Sequence, residues 1–210
     1  MARSARFLAL ALATLAGCAP QAGALRGAPA PARLPVTELP PGRQRLDFRW
    51  EYRDGDLAAR GEGVARLASP DSVRLDLFLD GGLGGGYAIV IGKEIFTPSG
   101  DQARRVLPPA PLLWATLGRL AVPAAPDTTA RVDGGRLRAD IGRDPTWRAT
   151  FDSTRLTRLE RIEGGRVLEW TERGVNGRVR YENTLAQRAL TLDVTRTQEA
   201  SEFDAAIWRH

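Results

Sequence analysis

The sequence predicts a mainly β protein in which one curled antiparallel sheet, a half-open barrel, is covered by a short helix. Three observations lead to this fold class. Apolar residues recur at every second position in many short segments, tight-turn pairs separate those segments, and one segment has helical spacing instead. The pattern does not decide whether the sheet closes into a barrel.

The clearest strand begins at Leu46, from which four apolar side chains alternate with charged ones as far as Arg53. A period of two places the apolar side chains on one face of a strand and the charged ones on the other. Residues 73–79 repeat the pattern, and residues 87–91 and 94–97 are predicted as paired strands. Seven further strands are predicted over residues 130–133, 136–141, 147–152, 155–163, 166–172, 178–183 and 189–196.

The separators between these strands favour tight hairpins. Gly134-Gly135, Gly164-Gly165 and Asn176-Gly177 are pairs that readily adopt the positive φ angles of two-residue turns. Such turns join antiparallel neighbours, so the strands are expected to follow one another across a single meandering sheet.

Residues 109–120 break the strand pattern. Leu113, Leu117 and Leu120 lie at helical spacing, and a proline stands near the start of the segment. We predict a short helix with a mainly apolar face. Two placements are compatible with a sheet of this size: the helix covers the concave face of a curled sheet, or it plugs one end of a barrel.

The N-terminus has the features of an export signal. Arg3 and Arg6 precede an uncharged apolar run over residues 7–15. This run is long enough for the apolar core of a signal peptide but too short to cross a bilayer as a stable helix. We therefore predict a cleavable signal at residues 1–17.

The signal ends in the sequence Leu-Ala-Gly-Cys, which resembles the lipobox of bacterial lipoproteins and includes the only cysteine, Cys18. The resemblance implies that Cys18 is lipidated and that membrane lipid anchors the protein. Ala19, rather than Asp, follows the cysteine, which in enteric-type sorting rules favours the outer membrane, with the protein facing the periplasm. The alternative is an ordinary secretory signal in which Cys18 is incidental.

Composition limits the remaining functions. The only histidine is His210, which argues against histidine–cysteine metal sites and against Ser-His-Asp or Cys-His catalysis. Loss of Arg3 and Arg6 with the signal would lower the formal net charge from +5 to +3, and the other arginines alternate with acids instead of clustering. We therefore expect no nucleic-acid binding, no enzyme activity and no cofactor.

The mature chain divides into two parts. Residues 18–44, which begin with the lipidated cysteine, are rich in Ala, Pro and Gly and are predicted to form a semi-extended tether. Residues 45–210 are predicted to form one β domain, which is expected to be a monomer.

From Leu46 to the C-terminus the sequence resembles the LolB/LolA superfamily of bacterial lipoprotein-localisation factors. Residues 69–91 look like the family's strand, Gly-containing loop and second strand, and the Leu- and Trp-rich residues 108–120 lie at about the position of the family's helix. The resemblance implies an apolar cavity, enclosed by the sheet and helix, that takes lipoprotein acyl chains. Because Cys18 favours the anchored LolB side, it also implies a soluble LolA-like carrier as a partner.

The loop at residues 80–86 contains five glycines around Leu83. The resemblance implies that Leu83, flanked by Gly82 and Gly84, contacts the membrane, as a leucine in the corresponding loop of LolB does. Burial of one leucine contributes ~1.5–3 kcal/mol, which suffices for transient contact but not for anchoring. The alternative is a flexible turn whose leucine folds back into the core.

Nine apolar residues are candidates for the lining of the acyl cavity. A filled core would use the same residue types, so the sequence alone does not separate a filled interior from a hollow one. The candidates are Phe48, Trp50, Leu75, Leu77, Ile89, Ile91, Leu113, Trp114 and Leu117.

The leading functional hypothesis is an anchored acceptor that takes acyl chains from a soluble carrier and helps insert lipoproteins into the outer membrane. The first alternative is an envelope scaffold, or a lipoprotein of the same fold that binds a small hydrophobic ligand and has no transfer role. A carboxylate-based hydrolase is a further alternative, which would require two acids that converge in a polar cleft.

Overall fold

The computed structural model describes residues 19–82, 84–98 and 107–209, which form thirteen strands and one α-helix. The helix α1 spans Ala110–Thr116, and short 3-10 turns lie at Asp80–Gly82 and Ala205–Trp208. The strands are β1 (Ala28–Ala30), β2 (Arg43–Asp54), β3 (Leu57–Ala68), β4 (Ser72–Leu79), β5 (Gly85–Ile91), β6 (Glu94–Phe96), β7 (Thr129–Asp133), β8 (Arg136–Ile141), β9 (Thr146–Asp152), β10 (Arg155–Glu163), β11 (Arg166–Arg173), β12 (Arg178–Asn183) and β13 (Arg188–Ala200).

The strands form one antiparallel sheet, in the order β1-β7-β8-β9-β10-β11-β12-β13-β2-β3-β4-β5-β6. All neighbours except two pairs, β1–β7 and β13–β2, follow directly in sequence, and short connections join them. The sheet does not close, so the predicted fold class of a curled sheet with one short helix is confirmed and the closed-barrel alternative is wrong.

Alternation in β2 separates the two faces of the sheet. Phe48, Trp50 and Tyr52 are buried on the concave side, whereas Arg49 and Glu51 between them are exposed. On the outer face, acids pair with arginines along and across the strands, as in Arg45–Asp47 at 2.8 Å. Such exposed pairs contribute little stability each, so the inner apolar face accounts for most of the folding energy.

β3 is a strand that the sequence pattern did not reveal. Gly61 and Gly63 occupy two of its inward positions, so the run of buried apolar side chains begins only at Ala65. Gly63 lies directly opposite Phe48 in the register of β2 and β3. A Cβ at Gly63 would lie 2.4 Å from the Phe48 ring, so the glycine provides the space that the ring occupies.

The predicted helix is confirmed, although α1 is shorter than residues 109–120. It begins after Pro109, and all residues from Leu112 to Thr116 are buried. α1 packs against the inner face of β10, β11 and β12, where Thr171 Oγ1 donates a hydrogen bond to the carbonyl oxygen of Leu112 at 3.1 Å. The helix therefore covers part of the concave face. No helix of the described residues is long and apolar enough to cross a membrane.

Residues 19–42, predicted as a tether, lie against the β domain. Gln21 forms a β-bridge with Arg166, and the Pro20 carbonyl accepts a hydrogen bond from the Val167 N–H at 2.9 Å. The segment then adds β1 to the edge of the sheet beside β7. It ends with Leu39 buried in the core. The β-bridge, the edge strand and the buried leucine hold these residues against the sheet. Their composition does not indicate this packing.

The strand ends form two opposite rims. One rim carries the turns at residues 55–56, 164–165 and 184–187 and the connection from β4 to β5, and the bridge at Gln21 places the start of the N-terminal segment there. We call it the proximal rim. The opposite rim carries the turns at residues 69–71, 92–93, 134–135, 153–154 and 174–177, and we call it the distal rim.

We expect Gly63→Ala to lower the free energy of unfolding by about 1–3 kcal/mol, because the added methyl group overlaps the Phe48 ring. Urea denaturation monitored by circular dichroism measures the change. Gly86→Ala in β5 is the matched control, because nothing lies within 4 Å of a Cβ there. Equal stability of the two variants would show that the packing of the Phe48 ring does not require a glycine at position 63.

Candidate functional site

An apolar cavity lies between the residues around α1 and the inner faces of β2, β3, β4 and β13, with a volume of about 390 Å³. This is near the lower end of the ~300–1,000 Å³ range of small-ligand sites. The part of the sheet beneath α1 itself is filled by a separate cluster that includes Leu112 and Phe151. The concave face is therefore packed on one side and hollow on the other.

The cavity extends along most of the length of β2. Gln44 and Leu46 line it near the distal rim, and Tyr52 lines it near the proximal rim. Apolar residues of β13, including Leu190 and Leu192, form the adjoining wall. An elongated apolar space of this kind fits an extended hydrocarbon chain.

Six of the nine predicted lining residues meet in this cavity. The strands β2 and β4 present their inward positions to it, and the helical segment supplies the other two residues. The six are Phe48, Trp50, Leu75, Leu77, Leu113 and Leu117.

The structure places the other three candidates elsewhere. Ile89 and Ile91 lie on the outer face of β5, because Ala88 and Val90 occupy its inward positions opposite Leu75 and Val73. All of residues 88–90 are buried, so burial on both faces hid the alternation that would have assigned them.

Trp114 is fully buried within the core and does not line the cavity. Its indole Nε1–H donates a hydrogen bond to the carbonyl oxygen of Gly92 at 2.6 Å. This bond ties α1 to the turn between β5 and β6, so the residue fixes the position of the helix.

The two residues predicted to contact the membrane, Cys18 and Leu83, lie outside the described residues. Gly82 and Gly84, on either side of Leu83, are exposed and have positive φ angles of 70° and 107°. Side chains other than glycine rarely adopt these angles, so the conformation of the loop depends on its glycines.

Four polar residues that were not predicted also line the cavity: Gln44, Thr116, Thr197 and Arg173. Arg173 is the last residue of β11 and the only charged side chain among the described lining residues. Arg173 points inward because it continues the alternation of Val167, Glu169 and Thr171 along β11. Glu169 and Thr171 are polar, so the sequence did not show that this face is the inward one. Counting every second residue from Val167 is the one sequence signal that could have identified Arg173.

A second inward polar group is fully paired. Glu169 accepts hydrogen bonds from the Tyr181 hydroxyl and the Asn183 amide, both at 2.8 Å, and pairs with Arg161 at 2.9 Å. Burial, together with the nearby Glu169 carboxylate, raises the pKa of Tyr181. This satisfied cluster is a structural network of the core.

The cavity offers no pair of acids for hydrolysis, since no Asp or Glu is found among the described residues that line it. Burial raises the pKa of the Tyr52 hydroxyl, which donates to Asp54 at 3.2 Å, so this phenol stays protonated at neutral pH. The chemistry available to the site is therefore apolar contact together with one positive charge.

Among known proteins, this chain is similar only to solved structures. No protein-family model matches the chain, and no curated protein matches it significantly. A LolA superfamily protein from Nitrosomonas europaea is 13% identical, with a TM-score of 0.49, over 82% of this chain and 92% of that one.

Two further structures are similar. A domain named for outer membrane lipoprotein sorting, from Vibrio parahaemolyticus, is 6% identical with a TM-score of 0.48, over 80% of this chain and 89% of that one. A DUF1329 family protein from Desulfovibrio piger is 10% identical with a TM-score of 0.44, over 81% and 90%.

We expect the neutral apolar dye N-phenylnaphthylamine to bind in the cavity with a rise in fluorescence, because the lining excludes water around it. Leu192→Phe should weaken dye binding severalfold, since the larger side chain fills the cavity. Leu168→Phe, on the opposite face of β11, should leave the affinity unchanged. Equal affinities in both variants would place the dye somewhere other than this cavity.

Proposed function

We propose that this protein is a lipid-anchored lipoprotein of the outer membrane that receives lipoprotein acyl chains in its cavity and helps insert lipoproteins into that membrane. The observation that carries the proposal is the open apolar cavity beside α1, at the place where the LolB/LolA resemblance expects one. Transfer of this kind needs no covalent chemistry, because the chain moves between two apolar environments.

The position of the N-terminus supports the anchored form. Residues 20–22 are bonded to β11 at the proximal rim, and Ala19 is buried. A lipid on the preceding residue, Cys18, would therefore hold the domain close to the bilayer with the proximal rim towards it. Two or more acyl chains give stable anchoring without a membrane-spanning helix.

The same rim carries exposed apolar side chains on three adjoining hairpins. Leu185 lies between β12 and β13, Leu57 starts β3, and Phe78 and Leu79 end β4. Leu57, Phe78 and Leu185 are each more than half exposed. The loop that contains Leu83 extends from the third of these hairpins, so a membrane contact at Leu83 would be shared by its neighbours.

The central test is depletion of the protein in its own cells. We expect outer-membrane lipoproteins to accumulate in the periplasm or the inner membrane, as measured by membrane fractionation and immunoblotting. Re-expression of the wild-type chain should restore localisation, and the cavity-filling Leu192→Phe variant should restore it less well. Normal localisation under depletion would overturn the transfer role and favour a lipoprotein that binds a hydrophobic ligand without transferring it.

The orientation of the rim can be tested separately from transfer. In the full chain carrying Cys18→Ser, which removes the lipid anchor, we expect Leu57→Glu, Phe78→Glu and Leu185→Glu each to weaken vesicle binding by on the order of tenfold. The reason is that each substitution replaces an apolar contact with a charge. Co-flotation with phospholipid vesicles measures the change.

Val175→Glu is the matched control, because Val175 is 86% exposed but belongs to the distal rim. Its vesicle binding should equal that of the Cys18→Ser chain. If Val175→Glu weakened binding as much as the three proximal substitutions, the proximal rim would not be the membrane-facing side.

A further inference from the structure

Arg173 places one positive charge in the wall of an otherwise apolar cavity. Its guanidinium packs over Gly118, just beyond the end of α1: a Cβ at Gly118 would lie 2.2 Å from Arg173 Nη1. Leu113 and Leu117 line the cavity on the same side. The missing side chain at Gly118 is therefore what allows the guanidinium to lie beside the cavity.

This arginine has no partner within the part of the chain that the structure describes. Its Nε–H is buried without an acceptor, and the Arg173 side chain forms no hydrogen bond or ion pair with any described residue. Two other inward or buried arginines are paired, Arg148 with Asp140 at 2.6 Å and Arg161 with Glu169 at 2.9 Å. Arg119 also has a buried nitrogen without an acceptor, but its guanidinium lies over the Trp114 ring instead of beside the cavity. More than nine-tenths of buried polar groups typically have a partner, so an exception beside a cavity requires an explanation.

The electrostatics around Arg173 oppose its charge. Burial, with a smaller contribution from the like charge of Arg155, lowers the pKa of Arg173, and no acid offsets these effects. An arginine nevertheless stays protonated at neutral pH, so the cavity wall carries a charge that no described acid compensates. A charge of this kind destabilises a folded domain unless a bound group of opposite sign compensates it.

We propose that the cavity binds an amphiphile with one apolar chain and an anionic head group, a carboxylate or a phosphate, and that Arg173 pairs with the head group. The planar guanidinium can donate two parallel hydrogen bonds to either anion. The volume of about 390 Å³ suits one such molecule.

This inference rests on the proposed function, because it uses the same cavity, but it adds a requirement on the ligand. Acyl chains held through ester and amide linkages carry no charge at the linkage and would leave Arg173 unpaired. A free fatty acid or a single-chain phospholipid would satisfy it. The charge therefore distinguishes ligands that apolar contact alone would accept equally.

The experiment titrates three ligands of equal chain length into the delipidated full chain carrying Cys18→Ser: palmitate, palmitoyl lysophosphatidate and neutral monopalmitoylglycerol. Displacement of N-phenylnaphthylamine measures each affinity. We expect at least one anionic ligand to bind roughly tenfold or more tightly than the neutral one, as a charge-assisted hydrogen bond provides. Preference for palmitate identifies a carboxylate, and preference for lysophosphatidate a phosphate.

Arg173→Met should lower the affinity for the anionic ligands to that for the neutral ligand. It should leave the affinity for the neutral ligand unchanged. Its melting temperature without ligand should equal or exceed that of the parent chain, because an unpaired buried charge is removed. Arg119→Met is the matched control: Arg119 also has a buried, unpaired nitrogen, but it lies over the Trp114 ring and does not line the cavity.

Equal binding of all three ligands, with no effect of Arg173→Met, would overturn the role of Arg173 and leave the acyl-binding function intact. Failure of all three to displace the dye would overturn both. An equal loss in Arg119→Met and Arg173→Met would also overturn the proposal, since it would show a general effect of losing a positive charge.

Discussion

The short helix α1 covers only part of a broad concave face, and the rest of the structure depends on this mismatch. Seven residues pack over β10, β11 and β12, where Leu112, Phe151 and their neighbours fill the interior. In the described part of the chain, α1 reaches the equally apolar inward side of β2, β3, β4 and β13 with only part of its surface, through Leu113 and Trp114. Many of these side chains pack against one another, and the cavity is the space that remains beside the one short helix.

Sequence periodicity predicted the strands whose two faces differ in polarity and missed features that periodicity does not encode. β2 was evident because Phe48 and Trp50 alternate with charged residues, whereas Gly61 and Gly63 concealed β3. The inward side of β5 could not be read because residues on both faces are buried. The docking of residues 19–42 depends on backbone hydrogen bonds and on one buried leucine, neither of which composition reports.

The arginines of this chain serve two different physical roles. On the outer face they pair with acids, as Arg180 does with Glu182 at 2.8 Å, and these pairs contribute about 0–1 kcal/mol each while keeping the sheet soluble. Arg173 faces the cavity and pairs with no described acid. An arginine at this position therefore costs stability instead of contributing to it. Selection for folding alone would favour an apolar residue at that position, which is why its charge points to a ligand.

The placement of polar groups along the cavity gives a bound amphiphile a direction. Gln44 and Thr197 line the cavity towards the distal rim, and Arg173 ends β11 on that side, whereas Leu77 and Leu190 line it towards the proximal rim. An anionic head group paired with Arg173 would therefore lie away from the proximal rim, with the chain directed towards it. In the proposed orientation, in which Ala19 and the exposed Leu57, Phe78 and Leu185 lie on the membrane-facing rim, the chain would reach the bilayer before the head group does. The apolar end would then exchange one hydrophobic environment for another, and the charged pair would be the contact that must break for release.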